Sequence, residues 1–172
     1  MQVLISVDAL KARVAELGEE ITEYYAGINE PLVVVGVLRG SFIFMADLTR
    51  QIDRPLVVDF MTASSYGDGT ESSGDVRLKT DLRDSIAGRH VLVVEDIVDT
   101  GNTLLKLRRI LEAREPASLR FVSLLDKPSR RVVDEEADWN GFTIEDHFVV
   151  GYGLDGAGLD RNLPYVGVKT VV

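Results

Sequence analysis

Cysteine is absent from the 172 residues of this chain. Its absence excludes disulfide bonds, thiolate metal sites and a cysteine nucleophile, and it fits a reducing compartment. The sequence also lacks any apolar run of about 18 residues, and it begins directly with an amphipathic pattern. We therefore expect neither a signal peptide nor a membrane span, and we expect the protein in the cytoplasm.

Basic residues are scarce. Nineteen lysines and arginines stand against 28 aspartates and glutamates, which gives a net charge of −9. Such a chain is a poor non-specific binder of nucleic acid or of an anionic membrane, so we expect neither as a partner. A small anionic ligand is still compatible with this charge, because it responds to the groups of its own site.

Two common nucleotide-binding motifs are missing. The sequence has no GxxxxGK[S/T] segment and no GxGxxG segment after a strand, so P-loop and dinucleotide-binding sites are not predicted. Internal repeats, low-complexity tracts and linkers are missing as well. The length fits one domain, 1–172, with a core large enough to need no disulfide or metal.

Apolar periodicity predicts alternating helices and strands. Helical spacing indicates an amphipathic helix over about 8–25, capped by Ser6 or Asp8. Continuous apolar runs are typical of strands buried in parallel sheets. We expect strands at 32–38, 55–62, 76–82, 89–95, 118–125 and 144–153, and further helices at 42–52 and 102–115. This alternation predicts an α/β fold with a mainly parallel sheet and helices on both faces.

The segment 91–104, VLVVEDIVDTGNTL, carries the most information. A buried strand is followed by three carboxylates, Glu95, Asp96 and Asp99, within five positions. Like charges and desolvation both raise the pKa of such groups, so a cation or a hydroxyl-rich ligand is expected beside them. Small residues at 100–103 then open a helix, whose free N–H groups and dipole suit a phosphate. The segment predicts a ribose 5-phosphate site; a ligand-free acidic turn is the alternative.

These residues resemble a known motif. VVEDIVDTGNTL is similar to the phosphoribosyl pyrophosphate (PRPP) motif of the type I phosphoribosyltransferases, and in detail to that of the bacterial hypoxanthine phosphoribosyltransferases. The segments VGVLRGSFIFMADL, VDFMTASSYG, LLDKPSRR and FVVGYGLD resemble the same family in the same order. The resemblance implies the type I phosphoribosyltransferase fold, with a small hood over the site built from the N-terminal and C-terminal segments.

The resemblance implies purine salvage. It implies transfer of the 5-phosphoribosyl group from Mg²⁺-PRPP to hypoxanthine, and to guanine as a second substrate, giving IMP or GMP and pyrophosphate. Three alternatives stay open at this point: a phosphoribosyltransferase for another base, such as xanthine, guanine alone or a pyrimidine; a regulator that binds nucleotide and RNA; and a ligand-sensing domain without activity.

Residues of this chain match the family's motifs one by one, and the resemblance implies a role for each. Asp99 is the expected catalytic base, which accepts the proton of purine N7, and we expect burial beside two carboxylates to raise its pKa. Residues expected at the 5′-phosphate and ribose are Glu95, Asp96, Thr100, Gly101, Asn102, Thr103 and Leu104. Those expected at the pyrophosphate are Arg39, Gly40 and Arg161. Those expected at the purine are Lys127, Phe148, Val149 and Asp155, and those expected near Mg²⁺ are Glu95, Asp96 and Asp155.

Some of these residues have an ordinary alternative role. By residue type alone, Arg39 and Lys127 fit solvated surface charges, and Phe148 fits the core. The resemblance implies instead that Lys127 donates to O6 of a 6-oxopurine. It implies that Phe148 stacks on the base, whose edge the backbone of Val149 contacts.

The glycine-rich segment after the third strand is expected to form a lid. The resemblance implies a flexible loop over about 63–80 that closes through Ser65 and Tyr66, which would exclude water from a cationic transition state. A solvated hairpin tip is the alternative. The resemblance also implies a cis peptide between Leu38 and Arg39 and a homodimer or homotetramer. At 156–158, Gly-Ala-Gly is smaller than the residues common in the family, which affects one wall of the pocket.

Overall fold

The structure is a computed structural model that describes residues 1–65 and 76–170. Its helices are α1 (Val7–Tyr24), α2 (Phe42–Thr49) and α3 (Asn102–Glu112), with a 3₁₀ turn at Pro128–Arg130. Its strands are β1 (Gln2–Ile5), β2 (Leu32–Leu38), β3 (Leu56–Ser65), β4 (Val76–Thr80), β5 (His90–Val98), β6 (Ser118–Asp126), β7 (Trp139–Thr143), β8 (Val149–Val150) and β9 (Val166–Val168). In this part of the chain no helix is long and apolar enough to cross a membrane.

A six-stranded sheet forms the centre of the molecule. Its strand order is β4-β3-β2-β5-β6-β7, and every neighbouring pair is parallel except β3 and β4. Strand β2 comes first in the chain among the strands of this sheet, and it pairs with both β3 and β5. The chain therefore builds the sheet outwards from β2 in one direction and then in the other. The predicted α/β fold with a mainly parallel sheet is confirmed.

Helices cover both faces of this sheet. Leu10, Leu17 and Ile21 of α1 are buried against Val34 of β2 and Leu92 of β5. On the opposite face, Leu104, Leu107 and Leu111 of α3 pack with the strand residues Val33, Val35, Val91 and Val93. Successive residues of β2 and β5 thus enter opposite cores, which is why the sequences of both strands are continuously apolar. Each fully buried Leu, Ile or Val side chain contributes about 1.5–3 kcal/mol.

A second, antiparallel sheet forms the expected hood. Its strand order is β1-β9-β8, so it joins the beginning and the end of the chain. The segment after β8 reaches back to the turn that follows β2: a Cβ on Gly153 would lie 2.4 Å from the Gly40 carbonyl oxygen. The hood therefore lies at the carboxyl end of β2, the edge where parallel sheets bind ligands.

Several element boundaries differ from the sequence-based expectation. The strand expected at 144–153 is wrong: only Val149–Val150 forms a strand there, Gly151 makes an isolated bridge with Leu154, and β1, β7 and β9 were not expected. Helix α2 ends at Thr49 and not at 52, because the Gln51 N–H bonds to the Leu48 carbonyl in a tighter turn. Strand β5 continues three residues beyond 95, to Val98, because β6 supplies backbone partners as far as Asp126.

The expected lid is described only at its two ends. Strand β3 extends to Ser65 and pairs with β4 in antiparallel register, with Ala63 opposite Leu78. The flanks of the 63–80 segment thus belong to the central sheet. Tyr66 and the rest of 66–75 lie outside the described residues.

A tight contact between α1 and the end of α2 gives the first prediction. In the interior of an exposed helix, Gly→Ala stabilises by up to about 1 kcal/mol. At Gly18, however, the added Cβ would lie 2.4 Å from Gln51 Cβ and 2.6 Å from the Gln51 carbonyl oxygen. We expect Gly18→Ala to lower the free energy of unfolding in urea by about 1–3 kcal/mol. Gly27→Ala is the matched control, because nothing lies within 4 Å of its Cβ. Equal stability of the two variants would contradict this packing.

Candidate active site

A cavity of about 300 Å³ opens at the carboxyl ends of β2 and β5, beneath the hood. It brings together predicted site residues from three distant parts of the chain: Arg39, Gly40, Glu95, Asp96, Asp99, Thr100, Gly101, Thr103, Leu104, Asp155 and Arg161. Lys127, Phe148 and Val149 do not line it and form a wall beside it, described below. Asn102 begins α3 without lining the cavity.

The turn before α3 has the geometry of a phosphate site. Gly101 has a φ of +87° and is the N-cap of α3, and the Leu105 N–H donates to the Gly101 carbonyl oxygen at 3.0 Å. Thr100 Oγ1 accepts from the Asn102 N–H at 3.3 Å. The next amides of the first helical turn have no acceptor within the helix. They lie at the cavity side, where the helix dipole also places its positive end. This arrangement suits a dianionic phosphate.

The turn after β2 forms the opposite side of the cavity. The Leu38–Arg39 peptide is cis, as expected. Buried Ser41 holds the turn, because its Oγ donates to the Val37 carbonyl oxygen at 2.7 Å. Gly40 lies against Asp96 so closely that a Cβ would be 1.6 Å from Asp96 Oδ2. Only glycine fits here, and its lack of a side chain lets the turn approach the carboxylates of β5.

A buried carboxylate, Glu95, and a partly buried one, Asp96, form the floor of the site. Glu95 is 6% exposed, and its Oε1 has no hydrogen-bond partner. Burial raises the pKa of Glu95 well above its ordinary value, and the neighbouring Asp96 raises it further. Burial also raises the pKa of Asp96 to about 6, although the Ile97 N–H and the nearby Arg161 both favour its charged form. For these two residues the expected direction is confirmed.

Asp99 differs from these two carboxylates. Its side chain is 42% exposed and pairs with Arg130, whose Nε lies 3.1 Å from Asp99 Oδ1. The expectation that Asp99 is buried beside Glu95 and Asp96 is therefore wrong. Because β5 continues to Val98, Asp99 is the first residue of the turn and extends towards the mouth of the cavity.

The hood contributes a cation and a third carboxylate. Arg161 Nη2 lies 2.6 Å from Asp155 Oδ1, and Arg161 Nη1 donates to the Gly153 carbonyl oxygen at 2.6 Å. The other carboxylate oxygen, Asp155 Oδ2, accepts from the Gly158 N–H at 2.6 Å. The small residues at 156–158 thus form a tight turn that fixes Asp155. Arg39, by contrast, is exposed and forms no ion pair within the described ranges.

The carboxylates fit a magnesium ion that arrives with a phosphate ligand. Across residues 1–65 and 76–170, no group of three or more acidic or histidine side chains could hold a metal by itself. Mg²⁺ typically takes only one or two protein carboxylates, with water and substrate phosphates completing its octahedron. The unpartnered Glu95 Oε1 and the adjacent Asp96 supply oxygen acceptors of this kind, for a ribose hydroxyl or for metal-bound water.

A wall suited to a flat base lies beside the cavity. Lys127 is buried, and its Nζ donates to the His147 carbonyl oxygen at 2.6 Å and lies 3.5 Å from Asp146 Oδ1. Phe148 is 47% exposed, so it does not belong to the core. Its ring lies against Gly156, where a Cβ would be 3.3 Å from Phe148 Cε1. Val149 is buried in β8, so it offers only its backbone.

Two arginines at this site were not assigned from the sequence. Arg131 pairs with Asp126 and donates through Nη1 to the Asp99 carbonyl oxygen at 2.7 Å. The next residue, Val132, donates its N–H to the Thr100 carbonyl oxygen at 2.9 Å. The segment after Lys127 therefore supports the phosphate turn from behind. Nothing local in the DKPSRR segment indicates that Arg130 reaches the Asp99 carboxylate or that Arg131 reaches the Asp99 carbonyl oxygen.

Fold and site together define an α/β protein that binds a phosphorylated sugar. Residues 6–157 match the phosphoribosyl transferase domain family, so the chain belongs to the phosphoribosyltransferases. The site geometry agrees with this class, because one cavity joins the turn before α3, the carboxylates of β5 and the turn after β2.

Within this class the chain is similar to bacterial purine enzymes. It is 56% identical to the hypoxanthine phosphoribosyltransferase of Haemophilus influenzae over 97% of this chain and 94% of the relative. It is 51% identical to the hypoxanthine-guanine phosphoribosyltransferase of Streptococcus pneumoniae over 97% and 92%. A solved hypoxanthine-guanine phosphoribosyltransferase of Bacillus anthracis superimposes with a TM-score of 0.93 at 45% identity, covering 99% of both chains.

The raised pKa of Asp96 predicts how the stability of the ligand-free protein depends on pH. Folding favours the protonated form of this carboxyl, so stability falls as the pH rises from its ordinary pKa of 3.8 through about 6. We expect Asp96→Asn to remove this cost, which is about 2–3 kcal/mol at pH 7–8, and to change little near pH 4. Thermal midpoints between pH 4.5 and 8 measure the difference.

Exposed Asp134 supplies the control for that measurement. Asp134→Asn removes one negative charge without touching the cavity, so its stability should follow the wild type at every pH. Parallel curves for Asp96→Asn and the wild type would contradict the burial cost assigned to Asp96.

Proposed function

We propose that this protein is a hypoxanthine phosphoribosyltransferase of purine salvage. It transfers the 5-phosphoribosyl group from Mg²⁺-PRPP to hypoxanthine, and to guanine as a second substrate, giving IMP or GMP and pyrophosphate. The observation that carries the proposal is the single cavity joining the phosphate turn, the buried carboxylates and the Arg39 turn, with Lys127 and Phe148 beside it. The names of its relatives support the same activity. Their high identity disfavours a regulatory RNA-binding or ligand-sensing role.

Each part of PRPP has a complementary group. The amides and hydroxyls of 100–103 bind the 5′-phosphate. Glu95 and Asp96 accept from the ribose hydroxyls and would supply oxygen acceptors to a bound magnesium ion, which would neutralise charge on the pyrophosphate. Arg39 and Arg161 bind the pyrophosphate, and the Gly40 backbone approaches it without a side chain in the way. Asp155 would help to hold the ion through the ligand.

The transfer is a displacement of pyrophosphate by the base at C1 of the ribose. N9 of the base donates its lone pair to C1 of the ribose, while the bond from C1 to the pyrophosphate oxygen breaks and its electron pair leaves with pyrophosphate. The proton on N7 passes to Asp99, so the nucleotide leaves neutral at the base and Asp99 later loses the proton to water. The negative charge of Glu95 and Asp96 favours the positively charged ribose of the transition state over the ground state.

Base selection follows from Lys127. Its ammonium has three donors, of which one binds the His147 carbonyl oxygen while Asp146 Oδ1 lies 3.5 Å away, so a donor is left for a carbonyl oxygen at position 6. Hypoxanthine, guanine and xanthine present such an oxygen, whereas adenine presents an amino donor that would face the ammonium without an acceptor. Phe148 stacks on the base through its exposed face, and the Val149 backbone contacts its edge.

Two further parts of the proposal concern closure and assembly. Ser65 and Tyr66 close over PRPP as part of a lid, which keeps water from the ribose cation. The protein assembles as a homodimer or homotetramer in the cytoplasm. Exposed apolar side chains, Phe42 of α2 with Val58 and Phe60 on one face of β3, support a subunit contact.

The activity is tested by pyrophosphate release from PRPP with four bases in parallel. In the presence of Mg²⁺, hypoxanthine and guanine should release pyrophosphate, and adenine should give only the rate of a sample without base. The rate with xanthine, which also carries an oxygen at position 6, is measured beside them. Excess chelator should abolish release, because PRPP and its leaving group are polyanions. The proposed function would be refuted if adenine were the only base that supports release, or if release were equally fast without a base.

Asp99→Asn tests the assigned base. The amide keeps the size of the side chain but cannot accept the N7 proton, so we expect kcat to fall by about 10²-fold or more while the KM for PRPP is nearly unchanged. Steady-state kinetics measure both. A variant with full turnover would remove Asp99 from the mechanism.

A further inference from the structure

Four charged side chains of alternating sign connect the proposed proton acceptor to the proposed O6 donor. Arg130 Nε donates to Asp99 Oδ1 at 3.1 Å, and Arg130 Nη1 lies 3.8 Å from Asp146 Oδ2. The second oxygen of that carboxylate, Asp146 Oδ1, lies 3.5 Å from Lys127 Nζ. Arg130 therefore connects Asp99 to Lys127 through one shared carboxylate.

The backbone of Arg130 is fixed at both ends of this connection. Its N–H donates to the Lys127 carbonyl oxygen at 3.0 Å, within the 3₁₀ turn. The following residue, Arg131, donates to the Asp99 carbonyl oxygen at 2.7 Å and pairs with Asp126. These contacts hold the backbone of Arg130 and the backbone of Asp99. The guanidinium of Arg130 therefore reaches Asp99 from a defined direction.

The ion pair of Arg130 with Asp99 is a weak contributor to folding. The two side chains are 49% and 42% exposed, and exposed pairs of this kind add little to stability because water and rotamer entropy compete with them. Its effect is on orientation. A carboxylate on an exposed turn rotates freely unless one oxygen is held, and the described residues donate only to Oδ1 of Asp99.

We propose that Arg130 is a positioning residue for the proton transfer, an inference that rests on the proposed function. Arg130 holds Oδ1 of Asp99, so that Oδ2 faces the N7 proton of the base. Asp146 keeps the guanidinium paired after Asp99 has accepted the proton and become neutral. Because N7 and O6 are neighbours on one edge of a 6-oxopurine, the shared Asp146 also aligns the Asp99 acceptor with the Lys127 donor.

Kinetics in two backgrounds test this role. Arg130→Met keeps the length of the side chain and removes the guanidinium; we expect kcat to fall about 10-fold and the KM for PRPP to stay within about twofold. Arg130→Lys, which keeps one charged donor, should recover part of the loss. In the Asp99→Asn background, Arg130→Met should lower kcat by no more than about twofold further, because the carboxylate it positions is gone.

Arg120→Met is the matched control. Arg120 forms a similar exposed pair with Asp138 at 3.0 Å, near the opposite end of β6 from the cavity, so its removal should leave kcat unchanged in both backgrounds. Thermal midpoints of the arginine variants should agree within a few degrees. An inactive wild type would overturn the proposed function itself. If the wild type is active, two results would overturn the role of Arg130 alone. The first is full kcat in Arg130→Met. The second is a double variant whose kcat is lowered by the full product of the two single-variant effects.

Discussion

Burial of two adjacent carboxylates at the end of β5 is the constraint around which the site is built. Glu95 and Asp96 are withdrawn from water without a cation in direct contact, and one oxygen of Glu95 has no partner. Such an arrangement costs folding free energy, and it persists where a ligand supplies the missing hydroxyls and positive charge. The neighbouring groups accommodate the pair: Gly40 leaves space for Asp96, and Arg161 lies close enough to favour its charge.

The site divides into a rigid half and an exposed half. Glu95 and Asp96 lie within a strand paired to β6, and the phosphate turn is supported from behind by Arg131 and Val132. In the proposed function this half binds the ribose phosphate. Asp99 lies beyond the end of the strand in a more exposed setting, where side-chain pairs rather than backbone pairing set the geometry. The proposed use of both hypoxanthine and guanine fits this division.

Local sequence signals were sufficient for the sheet core and the phosphate turn. Continuous apolar runs identified β2 and β6, and the spacing of Leu104, Leu107 and Leu111 identified α3. The failures have a common cause, which is long-range pairing. The extension of β5 depends on β6, and β7 has a mixed, half-buried pattern whose edge position no local rule reveals. The exposure of Asp99 and the contacts of Arg130 follow from these same distant elements, so the sequence motif could name Asp99 without describing its surroundings.

The pairing of β1 with β9 has a consequence for the order in which the molecule folds. Gln2 lies opposite Val168, so this sheet closes nearly the whole chain into one loop, and such contacts carry a large entropy cost before any gain is made. The strand pairs of the parallel sheet close shorter loops, of which the loop between β2 and β5 is the longest, so they carry a smaller entropy cost. We therefore expect the phosphate turn to form early and the hood, which carries Asp155 and Arg161, to dock late. In a partly refolded chain, affinity for a simple phosphate would then precede affinity for the complete substrate.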